Sequence, residues 1–235
     1  MTRKPTDGNP WALTDYSMAL LPHRFLVRIT YPCRYVKDMP REDEDCLLDL
    51  PAECRIDNFA AMDGEKNFAE VSLAWNELGL GLQVKVKGKD QLPKGDVARA
   101  KSSDGVTLWL DTRDARAGHR ASRTCHQFHF LPTGGGPEHD EPAFVQTKIN
   151  RALNDAPLVS PSGVPFQFHS SKSGYRLEAF LPAAALHGYD PEQHPRLGFY
   201  YAIRDSELGE QFLSVGADFP YWEDPSLWSV LDLVR

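Results

Sequence analysis

The stretch that most constrains this chain is 69–87, AEVSLAWNELGLGLQVKVK. On the first arm Val71, Leu73 and Trp75 fall on one side. Asn76-Glu77-Leu78-Gly79 makes a tight turn, and the second arm sets Leu80, Leu82, Val84 and Val86 against Gln83, Lys85 and Lys87. A helix would scatter these residues around its axis, whereas a strand sorts them onto two faces. Two such arms joined by a short Gly-bearing turn predict an antiparallel hairpin. A lone hairpin is barely stable in water, so its apolar face must meet further strands.

Those strands can be read along the chain. Arg24–Tyr31 alternates, with Phe25, Val27 and Ile29 opposite Leu26, Arg28 and Thr30, and Cys46–Leu50 is a second short strand. Val106, Leu108 and Leu110 point inward from VTLWLD, leaving Thr107, Trp109 and Asp111 on the other face. Thr124–Phe130, Tyr175–Leu181 and Leu197–Arg204 follow, with a short turn of helix after Pro182. Amphipathic helices are nearly absent, and 18 Pro and 17 Gly suit frequent turns. The expected fold is all-β, an antiparallel β-sandwich with little helix. Residues 1–22 read as a polar arm anchored by Trp11, and 23–235 as a single β-sandwich domain with a rim insertion at about 133–173.

Charge and cysteines narrow the function classes. A net charge of -7 without a basic block argues against a nucleic-acid surface. Apolar runs are too short for a membrane span, and the N-terminus has no secretory apolar core, so a cytoplasmic location is expected. Cys33, Cys46, Cys54 and Cys125 form no CxxC pair, which excludes a zinc ribbon or thioredoxin motif. Their even number leaves a disulfide open, although reduced thiols are expected for a chain without a leader.

Sugar recognition needs flat aromatic faces ringed by polar groups. Trp109 is the leading candidate, with Asp111 on the same face and Arg113 beyond it; Tyr221, Trp222 and Trp228 lie near the last strand. The competing reading packs these rings beneath a loop, and Trp75 belongs with the core. On the first reading, Trp109→Ala would leave the melting temperature nearly unchanged and abolish any sugar-dependent shift. The histidines at 119, 126, 129 and 139 cluster, yet His126 and His129 point to opposite faces of a strand and cannot share a metal without a bulge. In the turn IRDSELGE, Asp205 and Glu207 are candidate calcium ligands, weighed against an ordinary turn-capping role for Asp205. Glu178 lies opposite the inward face of its strand, and no carboxylate pair for glycoside hydrolysis is legible, so an enzyme is not expected.

Trp75 before a Gly-bearing turn, Asp104 to Asp111, Gly174-Tyr175-Arg176-Leu177-Glu178 with Leu181-Pro182, and Gly198-Phe199 with Asp205 recur in an order that resembles the family 9 carbohydrate-binding modules and the wider DOMON-like group. DPSLWSVLDL resembles their Trp-bearing closing strand, and TCHQFHFLP and GEQFLSVG look closest to bacterial members. The resemblance covers roughly Phe59 to Arg235, with 133–173 poorly matched. It implies a jelly-roll-like sandwich, sugar recognition in the best-known members and bound calcium in some. The resulting expectation is a non-catalytic saccharide-binding protein without nucleic-acid or membrane partners. The alternative is a structural sandwich that docks a protein partner and takes no sugar.

Overall fold

A computed structural model describes residues 25, 27–43, 45–116 and 118–235, so the N-terminal arm and Trp11 lie outside the described residues. Its strands are β1 (Thr30–Tyr35), β2 (Arg55–Ile56), β3 (Ala69–Asn76), β4 (Gly79–Lys87), β5 (Gly105–Asp111), β6 (Cys125–Gly135), β7 (Glu141–Thr147), β8 (Phe166–Ser171), β9 (Gly174–Pro182), β10 (Arg196–Asp205), β11 (Gly209–Phe212) and β12 (Ser229–Val234). Helix is confined, among the described residues, to short 3-10 turns. The hairpin forms in full, from Ala69↔Val86 to Asn76↔Gly79. Its turn is shaped by the Asn76 carboxamide, whose oxygen accepts from Leu78 N–H and Gly79 N–H. Only glycine fits at 79: φ is +152°, and a Cβ would stand 2.1 Å from the Leu181 carbonyl oxygen.

All twelve strands join in one sheet ordered β7-β6-β5-β10-β12-β1-β3-β4-β9-β8, with β11 beside β10 and β2 beside β3. β1 runs parallel to β12, from Thr30↔Val230 to Arg34↔Val234, and parallel to β3 over a shorter ladder. The sheet bends into two layers, β3-β4-β9-β8 against β10-β5-β6-β7. Its outer strands β7 and β8 come back together, and the Phe130 and Phe166 rings meet at 5.7 Å, so the sandwich is almost closed. Leu73, Leu82, Val84 and Leu177 from one layer share a single core with Leu108, Phe128, Phe130, Phe199 and Ile203 from the other. Burying such side chains contributes about 1.5–3 kcal/mol each.

Three expectations are corrected. The first strand is Thr30–Tyr35 rather than Arg24–Tyr31, because β12 and β3 offer ladder partners only from residue 30. Phe25 instead stacks on Phe219 at 4.7 Å. Cys46–Leu50 is not a strand; Leu47 and Leu48 pack with Met39, Cys54, Ala74 and Phe180 on the outer face of β3-β4-β9. The stretch read as a rim insertion supplies β7 and β8, which pair with β6 and β9.

Both outer faces are covered. The segment 36–54 straps the first layer, seated over Gly81, where a Cβ would meet Met39 Sδ at 2.9 Å. Beneath it, Gln83 Nε2 donates to Glu178 Oε1 at 2.7 Å, and Leu47 N–H donates to both Glu178 Oε2 and Gln167 Oε1. The segment 213–228 straps the second layer. There Tyr221 stacks on Tyr200 at 4.5 Å and meets Trp109 edge-on at 5.4 Å.

Candidate functional site

Near their midpoints, β3 and β10 each change partner on one side. β3 pairs with β2 through Val71 and Ser72 and with β1 through Ala74 and Trp75. β10 pairs with β12 over 196–199 and with β11 over 202–205. β1 and β12 therefore bridge the layers at one end, while β2 and β11 flank an opening at the other. A cleft of about 710 Å³ lies there, lined by residues of β2 and the 57–68 loop, the start of β3, the end of β4, and Tyr201, Leu208 and Gln211.

Two polar contacts, buried or partly buried, hold the opening in shape. The Gln211 carboxamide accepts from Phe68 N–H and Ala69 N–H and donates to the Ala69 carbonyl, all at 2.9 Å, fastening β11 to the start of β3. Asn58 Nδ2 donates to Tyr201 Oη at 3.3 Å, while its Oδ1 accepts from Ala60 N–H. Burial raises the Tyr201 phenol to about 12, so it stays protonated and able to donate. Asn58 also starts the 3-10 turn Ala60–Asp63 that presents Phe59, a turn closed by Gly64 in the left-handed region at φ 73°. The half-buried Phe59 and Phe68 give the cleft apolar surface. Around them stand Asp57, Asn67 and two ion pairs, Arg55–Asp57 at 2.9 Å and Lys87–Glu70 at 2.7 Å. The hydrogen bond from Lys87 is the main reason the Glu70 carboxyl sits below its ordinary range. Rings beside paired donors and acceptors can cover the apolar face of a small polyhydroxylated molecule and satisfy its hydroxyls.

The aromatic face expected at Trp109 is not exposed. Alternation correctly turns it away from Leu108 and Leu110, but that face lies under the 213–228 strap and Trp109 is only 4% exposed. Asp111, 1% exposed, accepts from Arg113 N–H, Ala115 N–H and Thr124 Oγ1, and so shapes the 112–116 turn. Arg113 donates to the carbonyls of Thr112 and Gly188. Tyr221 is buried among Tyr200, Phe212 and Trp109, and of the five residues expected to bind ligand only Trp222 is exposed, at 40%. None of the five lines the cleft.

The acidic turn holds a cation that belongs to the chain. Lys89, with a side chain 2% exposed, places Nζ 2.8 Å from Asp205 Oδ1, 3.5 Å from Glu207 Oε2 and 3.8 Å from Asp104 Oδ2. Backbone amides complete the cluster: Glu207 and Leu208 N–H donate to Asp205, Lys94 and Ser206 N–H to Asp104, and Asp90 and Gln91 N–H to Glu207. The positive charge expected from calcium beside Asp205 and Glu207 is supplied by an ammonium, and no metal-binding group of three His, Cys, Asp or Glu exists among the described residues.

The histidines also have separate settings. His129 bridges Thr107 and Thr147, each at 2.9 Å, while His126 is buried beside Phe128 on the opposite face. His119 is exposed, with Asp224 and Ser226 both on its Nδ1, so the three do not form a relay through both ring nitrogens.

The cleft escaped the sequence reading because its walls are distant in the chain and unpatterned. The one cue in the sequence is the polar, aromatic-bearing run RIDNF, which spans the two-residue β2 and the start of the loop after it and is too short to show alternation.

Two solved structures share this architecture. One is a carbohydrate binding module family 9 from Caldicellulosiruptor kristjanssonii in complex with cellotriose, at a TM-score of 0.58 and 14% identity over 87% of this chain and 93% of that one. The other, a family 9 module from the same organism in complex with glucose, has a TM-score of 0.51 and 14% identity over 73% of this chain and 80% of that one. No family model matches the sequence, and no curated protein matches it. The fold is that of a family 9 carbohydrate-binding module.

Proposed function

We propose that this protein is a non-catalytic saccharide-binding module whose ligand lies in the cleft between β2-β3 and β10-β11. The observation that carries the reading is the cleft itself: about 710 Å³, with Phe59 and Phe68 set among Asp57, Asn58, Asn67 and two ion pairs. Its size lies within the range usual for small-molecule sites, and its mixture of rings and paired polar groups suits a sugar. The shared fold with modules solved in complex with cellotriose and glucose supports the same reading. In this reading Phe59 stacks on the pyranose, Asp57 and Asn67 take hydroxyls, and Gln211 and Tyr201 act by holding the walls apart.

A glycan array followed by calorimetric titration of its best ligand tests this. Phe59→Ala should weaken binding about tenfold, the worth of one ring contact of roughly 1.4 kcal/mol, with the melting temperature little changed. An array on which no saccharide binds, or a ligand whose affinity ignores Phe59, overturns the assignment.

A further inference from the structure

The charges around the cleft differ in sign from those of the chain as a whole. The protein carries a net charge of -7. The cleft is nonetheless lined by three cations, Arg55, Lys66 and Lys87, against two acids, Asp57 and Glu70. Lys85 stands beside them, as the cross-strand partner of Glu70. Resting on the saccharide reading above, we infer that the cleft selects an acidic saccharide, one carrying a carboxylate on its ring.

Three observations lead there. Lys66 makes no ion pair among the described residues and is exposed at the cleft wall, so its ammonium is free for a ligand. Arg55 presents its planar fork to a single oxygen, with Nε at 3.1 Å and Nη2 at 2.9 Å from Asp57 Oδ1. That pair is open to water, with side chains 56% and 68% exposed, and such pairs are worth at most about 1 kcal/mol. A ligand carboxylate can therefore share or take the fork, for which a guanidinium is well shaped. The third observation is the field itself. After the Lys87 hydrogen bond, the charges of Lys87, Arg55 and Lys85 all help hold the Glu70 carboxyl down. An anion entering beside Glu70 meets the same cations.

Cellotriose and its C6-oxidised counterpart, a triglucuronate of identical linkage, separate this inference from the reading beneath it. Titrated into the full chain at low salt, the triglucuronate should bind about tenfold tighter, and raising the salt to about 1 M should remove most of that advantage. Lys66→Met should cut the preference about threefold while leaving cellotriose affinity and the melting temperature unchanged. Equal or tighter binding of cellotriose overturns the acidic preference and leaves the saccharide site standing. A preference that survives both high salt and Lys66→Met also overturns it. Binding of neither trisaccharide overturns both.

Discussion

The outer faces of the two layers are closed in contrasting ways. On β3-β4-β9-β8 the strap 36–54 is fastened chiefly by directional hydrogen bonds to polar side chains, although Arg176 Nε and His169 Nε2 on that face lack hydrogen-bond partners. Glu178, fully buried, accepts from Leu47 N–H, Leu48 N–H and Gln83 Nε2, and Gln83 in turn reaches the Leu48 carbonyl. On β10-β5-β6-β7 the strap 213–228 is fastened by rings, through Tyr221 against Tyr200 and Trp109. Beneath it, Trp109 Nε1 and Gln127 Oε1 are buried without hydrogen-bond partners, although their residues are paired across β5 and β6. The first face is held by direction-specific bonds, so its strap has one seat. The second is held mainly by stacking, which tolerates sliding, with Tyr200 Oη donating to the Val215 carbonyl as a directional tie.

The comparison is broken most sharply at Glu178. Glu178→Ala leaves Leu48 N–H without an acceptor and takes the carboxylate from Leu47 N–H and Gln83 Nε2, which keep only Gln167 Oε1 and the Leu48 carbonyl, so a loss of about 3 kcal/mol is expected in urea unfolding. A loss below about 1 kcal/mol would mean that the first strap does not depend on its polar anchor. The second layer should instead show itself through pH. Burial lowers both His126 and His129 to about 4, from an ordinary 6.5. Between those values the unfolded chain binds protons that the folded chain refuses. Stability is therefore full above about 6.5 and falls as pH drops toward 4, by up to about 3 kcal/mol per histidine. His129→Gln should flatten part of that slope in melts between pH 7 and 4, and an unaltered slope would contradict the buried neutral imidazole. The finest test exchanges the two glutamines. Gln83→Leu removes a bond to a buried carboxylate and should cost about 2 kcal/mol, whereas Gln127→Leu removes an unmet carbonyl and should stay within about 1 kcal/mol of wild type. Equal effects in a chemical-denaturation series would erase the distinction between the faces.

The same contrast shows what the sequence can and cannot carry. Period-2 alternation located β3, β4, β5, β9 and β10, because each has an inward row that must be apolar whatever covers the other side. It could not tell that the outward rows are covered as well. Gln83, Glu178, Trp109 and Asp111 are all outward by alternation and all buried, since their cover comes from loops with no periodicity. The candidate binding face at Trp109 failed for that reason. Its ring was oriented correctly, but a segment more than a hundred residues away lies on top of it. The cleft was invisible on the same ground. Asn58 meets Tyr201 and Gln211 meets Ala69 across separations of 143 and 142 residues, which no local pattern encodes.

The parallel pairing of β1 with β12 has a consequence in time. Among the described residues, the two layers are linked by hydrogen-bonded ladder along the path β10-β12-β1-β3, so β12, which follows every other described strand in the chain, is the one that joins them. Until residues 229–234 are made, the ladder that links the two sheets cannot form, and β1 and β10 each lack the neighbour they share. Such edges invite pairing with other chains. β12 is thus also the strand that covers the edges of β1 and β10 against pairing with other copies.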